Sequence, residues 1–310
     1  FLSMTRILTF LVTSIIVLST AVPSYSLGIR NHWMVAENSI AAVRDEGRLE
    51  LARILENHRE SLYCGSMTPD FAWATAESLS IMMHSDDWVE AFVEVMRQRI
   101  SYPYNEQEQR EIAFMMGCIS HCYGDVVWHG GYDSACFMPM AMQLDNASHE
   151  EVELACDIFM LFEENQYPST LSYQWEFELW REVFREMGNS AVSISDLQDG
   201  AIMLETGIAV ENLTGWLAYY VFLGDMPWTH ENYKSHAPGG IRDAGKLAAQ
   251  QMIRCWHILK NGVWLYQHAY WDYGYNKACG AHMISDLPDN NTGAEPIIKV
   301  GFDSGNEGRC

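Results

Sequence analysis

A row of three candidate metal ligands within residues 111–132, EIAFMMGCISHCYGDVVWHGGY, constrains the fold of this chain more than any other feature. His121, Asp125 and His129 follow one another at intervals of four residues, so on an α-helix they lie on one face. At about 1.5 Å per residue the row spans roughly 12 Å, whereas imidazole and carboxylate bind zinc at about 2.0–2.2 Å. One ion therefore cannot contact both ends, and the row suits two or more ions with the carboxylate between them. A polar helix face without a metal is the simpler alternative.

A second row with the same spacing lies in ASHEEVELACD, residues 147–157. It consists of His149, Glu153 and Asp157, and apolar residues such as Val152 and Ile158 lie between them. This pattern predicts a helix that packs against a neighbour. Two such rows on adjacent helices can point into one cavity, as ligand sites in helical bundles do. The alternative is a solvated acidic face, which His149 fits least well.

Apolar residues recur at helical spacing through most of the chain. They predict helices within residues 31–58, 72–100, from 106 through the first row, 171–187, 195–223 and 240–259, with a loop over 130–146. Strand patterns are scarce, and 310 residues with 48% hydrophobic content suffice for a substantial core. We therefore predict an all-α, multi-helix bundle around a metal cluster. One domain covers residues 27–285, and an irregular tail over 286–310 ends so abruptly that truncation stays open.

Residues 1–26 have the features of a secretory signal peptide. Arg6 supplies the positive charge, residues 7–18 the apolar run, and Ser24 and Ser26 the small residues of a cleavage site. The apolar run is too short to span a bilayer. We therefore predict export to the extracellular space or an endomembrane lumen, with Leu27 as the new N-terminus.

The cysteines and the glycosylation sequons are interpreted in the light of export. The chain contains eight cysteines, and an even number predicts disulfides in an exported protein, although their pairing cannot be derived from the sequence. Sequons at Asn146, Asn212 and Asn290 are compatible with a glycoprotein.

The formal net charge of -22 argues against a nucleic-acid partner bound through lysine and arginine patches. It leaves phosphate chemistry open, because bound cations supply positive charge locally. Three further residues, His32, Asp70 and His84, are each explained by an ordinary structural role when taken alone, such as that of a turn residue or a half-buried histidine. They become candidate metal ligands only when they are considered together with the two rows.

Several short motifs, taken together, resemble a known family. They are NH at residues 31–32, PDF at 69–71, His84, SHCYGDVVWH at 120–129 and SHEEVELACD at 148–157. In this order and approximate spacing they resemble the zinc-dependent phospholipase C superfamily, which includes the S1/P1-type nucleases. Within it, the chain is most similar to the metal-binding domain of glycosylphosphatidylinositol-specific phospholipase D. The resemblance covers about residues 27–162.

The resemblance implies an all-α phospholipase C/P1 nuclease-like fold that holds three zinc ions. It assigns the first zinc to Asp70, His84, His121 and Asp125, the second to Asp125, His32 and the backbone of Leu27, and the third to His129, His149 and Glu153. Asp157 has a counterpart in the phospholipase D-like relatives but receives no ligand role.

The activity implied is that of a secreted zinc-dependent phosphoric diester hydrolase. Its substrate would be a phospholipid or glycosylphosphatidylinositol at a transiently contacted membrane surface, hydrolysed by metal-activated water with Asp70 as the proton acceptor. Cleavage of the C-type or the D-type ester bond stays open, and no stable protein partner is indicated. The alternatives are a secreted 3′-nuclease of the S1/P1 type, which needs aromatic side chains that stack bases, and a non-catalytic secreted binding protein.

Overall fold

The computed structural model describes residues 28–72, 77–129, 135–164 and 173–261. Within these ranges the chain forms twelve α-helices and one short 3-10 helix and no strand, which confirms the predicted all-α class. In chain order the elements are α1 (Ile29–Asp45), α2 (Leu49–Asn57), α3 (Arg59–Met67), the 3-10 helix (Thr68–Ala72), α4 (Glu77–Met83), α5 (Asp86–Arg99), α6 (Glu106–His129), α7 (Phe137–Leu144), α8 (His149–Glu163), α9 (Phe177–Glu186), α10 (Ile194–Asp225), α11 (Pro227–Asn232) and α12 (Ile241–Asn261).

Helix α6 forms the centre of the bundle. It is buried almost continuously from Glu111 to Asp125, because its middle section is apolar on all sides, as expected of a core helix. Helices α3 and α12 pack along α6, and α1 packs against both of them. The first ligand row occupies the C-terminal half of this buried helix, so the surrounding helices hold its side chains in the interior.

Helices α3 and α6 touch through their backbones at a pair of glycines. A Cβ atom at Gly65 would lie 2.0 Å from the carbonyl oxygen of Phe114, and one at Gly117 would lie 2.1 Å from that of Leu62. Any side chain at either position would therefore push the two helices apart. The close approach brings the carbonyl oxygen of Ser66 to 2.7 Å from Nδ1 of His121, a residue of the first row.

Three predicted elements are corrected by the structure. The predicted helix over 31–58 divides into α1 and α2 around Gly47, whose φ is +73°. The other two corrections concern the site. The predicted helix over 72–100 divides into α4 and α5, because Ser85 caps α5 by accepting a hydrogen bond from the Trp88 amide at 3.3 Å. His84 lies at this break. The predicted loop over 130–146 contains the short helix α7, which accommodates Pro139 in its first turn, where a missing N–H costs no helical hydrogen bond.

The cysteines within the described ranges give no support to the predicted disulfides, because no disulfide joins any two of the six buried cysteines there: Cys64, Cys118, Cys122, Cys136, Cys156 and Cys255. The other two cysteines lie beyond residue 261, outside the described part of the chain. The predicted signal peptide over 1–26, Leu27 and the tail over 286–310 also lie outside it. Export, glycosylation and the predicted domain limits therefore stay predictions. Among the helices that the structure describes, none has the length and apolar character needed to cross a membrane.

Candidate metal centre

Five parts of the fold supply the eight candidate ligands whose side chains the structure describes. They are α1 with His32, the 3-10 helix with Asp70, the residue after α4, His84, helix α6 with His121, Asp125 and His129, and α8 with His149 and Glu153. The structure brings all eight together in three groups, within each of which the candidate ligand atoms lie within 4.8 Å of one another. These groups are His32, His121 and Asp125, then Asp70, His84 and His121, and finally His129, His149 and Glu153. Leu27 is the one candidate outside the described residues.

Asp125 is the carboxylate on which the histidines converge. Its Oδ1 lies 3.4 Å from Nε2 of His32, and its Oδ2 lies 3.4 Å from Nε2 of both His84 and His121. Nε2 of His129 is 3.8 Å from Oδ1, so the same side chain also borders the third group. Asp125 therefore lies among histidines of all three groups, and its role as a bridge between metal ions stays a prediction.

Asp70 is a second carboxylate close to the same three histidines. Its Oδ1 lies 3.5 Å from Nε2 of His84 and 3.6 Å from Nε2 of His121, and its Oδ2 lies 3.8 Å from Nε2 of His32. Both carboxylates therefore lie within 4 Å of the same three imidazole nitrogens.

The third group lies where α6 and α8 approach each other. Oε1 of Glu153 is 3.3 Å from Nε2 of His149 and 3.8 Å from Nε2 of His129. The two imidazole rings stack with their centroids 4.8 Å apart. A capping box formed by Ser148 and Glu151 starts α8, which fixes His149 as its first residue.

The hydrogen bonds of His84 and His121 test whether this donor set fits a metal. Nδ1 of His121 lies 2.7 Å from the carbonyl oxygen of Ser66, and Nδ1 of His84 lies 2.7 Å from that of Ser80. A carbonyl oxygen only accepts, so both Nδ1 atoms carry a proton, and the Nε2 atoms are the ring nitrogens left to face the site. Those two Nε2 atoms are 2.9 Å apart, close enough to share a proton in the absence of metal and to bind the same cation. The residues present therefore fit a zinc site, with backbone carbonyls that orient the imidazoles.

The pKa values of the site separate neutral histidines from charged groups. Burial, together with the neighbouring His121, lowers the pKa of His32 to about 3, and burial lowers that of His129 to about 4. Both imidazoles are thus in the neutral form that binds metals. Burial also acts to lower the pKa of His84, but the carboxylates of Asp125 and Asp70 outweigh it and raise the pKa to about 10.

Asp125 is ionised in spite of its burial. Burial acts to raise its pKa, but the surrounding histidines, His121 foremost, hold the pKa well below its usual range. The same balance lowers the pKa of Asp70. A buried pair of carboxylates surrounded by imidazoles is an environment that a cation stabilises strongly.

Asp157, the last member of the second row, has a different role from the rest of its row. Its Oδ1 accepts hydrogen bonds from the backbone amides of Arg30 and Asn31, both at 3.0 Å, and from Nδ2 of Asn31 at 2.8 Å. The sequence motifs did not indicate these partners or the carbonyl groups of Ser66 and Ser80. The one sequence signal for the Asp157 contact is Asn31, the residue before His32 in the NH motif.

Comparisons with known proteins agree with this geometry. The profile of a family described as "Zinc dependent phospholipase C" matches residues 31–191, about half of the 310 residues. Phosphatidylinositol-glycan-specific phospholipase D of Bos taurus is 22% identical over an alignment of 251 residues that covers 76% of this chain and 30% of that protein. The protein of the same name from Dictyostelium discoideum is 22% identical over 253 residues, 79% of this chain and 26% of that protein. The chain thus spans less than a third of the length of these relatives. No solved structure matches.

Proposed function

Because the chain belongs to the zinc-dependent phospholipase C family, we propose that it hydrolyses a phosphodiester in the headgroup of a phospholipid or glycosylphosphatidylinositol. The observation that carries this proposal is the convergence of eight histidine and carboxylate side chains in three adjoining groups. A non-catalytic binding protein would not need the complete set. Export through the segment 1–26 is part of the proposal and rests on the sequence alone.

We assign the ligands to three zinc ions as the family resemblance implies; the three groups of side chains support this assignment, and the part of Leu27 rests on the sequence alone. One group consists of Asp70, His84, His121 and Asp125, a second of His32, Asp125 and the backbone of Leu27, and a third of His129, His149 and Glu153. The contacts of Asp125 with histidines of all three groups support its role as the bridge.

Zinc, when bound, supplies positive charge that polarises phosphoryl oxygens and makes water more acidic. His32 and His121 are fully buried and form the floor of the site, whereas His84, His129 and His149 are partly exposed. The phosphate therefore enters from the side of the exposed histidines. Asp70 is placed to accept a proton from the attacking water, since its depressed pKa keeps it ionised at neutral pH. The oxygen of that water bonds to phosphorus, the P–O ester bond breaks, and the alcohol leaves with a proton.

An exposed apolar face on α10 supports a lipid as the substrate. Leu213, Trp216 and Tyr220 are spaced at helical intervals and are 75%, 53% and 72% exposed. No charged residue occurs between Glu211 and Asp225, and Glu211 itself turns inward to Arg30 at 3.4 Å. Tryptophan and tyrosine combine an apolar ring with a polar group, which suits the boundary between lipid and water.

The position and the charge of this face favour a neutral or zwitterionic lipid surface. Helix α10, which carries this face, packs against α8 and against the 3-10 helix that carries Asp70, two elements that supply candidate ligands. The chain carries a formal net charge of -22, which opposes approach to an anionic surface and to a second copy of the chain. An uncharged face meets a zwitterionic surface without that repulsion.

Product analysis of the zinc-loaded protein tests the proposal. Phosphatidylcholine vesicles, a glycosylphosphatidylinositol-anchored protein and single-stranded DNA are offered side by side, with Asp125→Asn as the inactive control. We expect a lipid product that chelation abolishes, and its identity as diacylglycerol or phosphatidic acid shows which ester bond breaks. Cleavage of DNA alone would refute the proposal in favour of a nuclease. Full zinc content without any product would refute it in favour of a binding protein.

A further inference from the structure

Asp157 has no place among the candidate ligands, yet it is one of the most buried carboxylates in the described part of the chain. It lies on α8 one turn after Glu153 and is 2% exposed. Its Oδ1 accepts three hydrogen bonds, two of them from backbone amides in the first turn of α1, those of Arg30 and Asn31. The N-cap residue of α1, Gly28, provides no side-chain cap. A carboxylate from another helix therefore does for α1 what an N-cap side chain usually does.

The close approach of Asp157 depends on the glycine at position 28. A Cβ atom there would lie 2.3 Å from Cγ of Asp157 and 2.4 Å from its Oδ1. Any other residue would displace either the carboxylate or the start of α1. The two helices are thus packed closely around this contact, which needs a glycine at position 28. An exposed acidic side chain near a helix terminus would not need a glycine there.

This contact determines where His32 lies. The amide of His32 donates to the carbonyl oxygen of Gly28 at 3.1 Å, so His32 ends the helical turn that Asp157 holds. His149 and Glu153 precede Asp157 on the same face of α8. One side chain therefore connects the turn that supports His32 to the helix that supports the third group.

Arg30 reinforces the orientation of this turn. Its side chain extends towards α10, where an NH2 group donates to Oδ1 of Asn212 at 3.0 Å and Nε lies 3.4 Å from Glu211. The amide of Arg30 is held by α8 and its guanidinium by α10, so the first turn of α1 is held from two directions.

We propose that Asp157 is a positioning residue for zinc binding: by capping α1 from α8 it holds His32 in register with Asp125 and couples that site to the third group. The proposal rests on the assignment of His32 as a ligand under the proposed function. It does not require that the substrate is a lipid.

A matched control separates positioning from stability. Asp145 caps α11 in the same manner, because its Oδ1 accepts from the Trp228 amide at 3.1 Å and its Oδ2 from the Thr229 amide at 2.7 Å. It is not among the candidate metal ligands. A purely structural role of Asp157 predicts that Asp157→Ala and Asp145→Ala behave alike towards zinc.

The test measures zinc content by elemental analysis and zinc affinity by chelator competition on the full chain, with thermal unfolding of the metal-free protein as a second readout. We expect Asp157→Ala to weaken the binding of one zinc about 10-fold to 100-fold, the usual effect of removing a group that orients ligands. We expect Asp145→Ala to lower the melting temperature and to keep the parental zinc affinity. Asp157→Asn should restore part of the affinity, because its Oδ1 still accepts hydrogen bonds.

Gly28→Ala provides a second route, because it displaces the Asp157 carboxylate without removing it, and it should show the same zinc defect. The proposal is overturned if Asp157→Ala and Gly28→Ala keep the parental zinc affinity, or if Asp145→Ala loses zinc equally. If Asp157→Ala does not fold, Asp157→Asn and Gly28→Ala decide. A parent chain that binds zinc but releases no lipid product would refute the proposed substrate and leave this inference standing.

Discussion

Replacing Trp216 and Tyr220 by alanine is expected to reduce binding to zwitterionic vesicles about 100-fold. An aromatic side chain buries about 150–250 Å². Since these two are 53% and 72% exposed, each has roughly 100–150 Å² left to bury. At about 25 cal/mol per Å², complete burial of that area is worth roughly 3 kcal/mol per ring. A ring immersed to about half its depth contributes about 1.5 kcal/mol, or roughly tenfold in affinity, and two rings therefore about 100-fold.

The assay compares vesicle sedimentation with hydrolysis of a short-chain substrate below its micelle concentration. The double variant should bind vesicles weakly and hydrolyse them slowly, yet hydrolyse the monomeric substrate at the parental rate. The matched control is Leu49→Ala/Tyr102→Ala, because these residues are 65% and 62% exposed and lie outside α10. Equal vesicle binding by the parent and the double variant would refute the docking face. An equal loss in the control would show that the apolar face of α10 has no special role.

Three further predictions concern the metal centre. Asp125→Asn should lower the zinc content more than Glu153→Gln, because Asp125 contacts histidines of all three groups and Glu153 serves one; equal losses by elemental analysis would contradict this. Zinc binding at neutral pH should release a proton from His84, whose pKa of about 10 keeps it protonated without metal, and calorimetry in two buffers of different ionisation enthalpy measures that release. A Gly-Ser extension before Leu27 should lower the occupancy of one zinc, because an amide nitrogen replaces a free amine; full zinc content and full rate in the extended chain would refute the role of the N-terminus.

The two ligand rows could be predicted because helical spacing carries information on distance. Intervals of four place His121, Asp125 and His129 on one face whatever surrounds the helix, and the structure brings that face against His149 and Glu153. The all-α class followed from the same periodicity. The role of Asp157 could not be predicted in this way. Spacing shows which side chains share a helix face, but it does not show that the first turn of another helix lies beside one of them.

The backbone partners of the histidines could not be predicted for a different reason. The carbonyl of Ser66 reaches His121 only because two helices approach at Gly65 and Gly117, and that distance is a property of the packed bundle. The number of cysteines likewise carries no information on geometry. A disulfide requires two Cα atoms within about 7 Å and suitably directed side chains, which an even count does not provide.

The contact between Gly65 and Gly117 limits how this protein can be engineered for heat resistance. Exchanging a helical glycine for alanine is a standard stabilising change worth about 0.4–1 kcal/mol. At these two positions the new methyl group would meet a carbonyl oxygen at 2.0 Å or 2.1 Å and move the helix that orients His121. Gly207 and Gly224 on α10 have nothing within 4 Å of such a methyl group. A stabilised variant should therefore carry alanine at positions 207 and 224 and keep glycine at positions 65 and 117. At positions 65 and 117 the gain in helix propensity would come with displacement of His121, a candidate metal ligand.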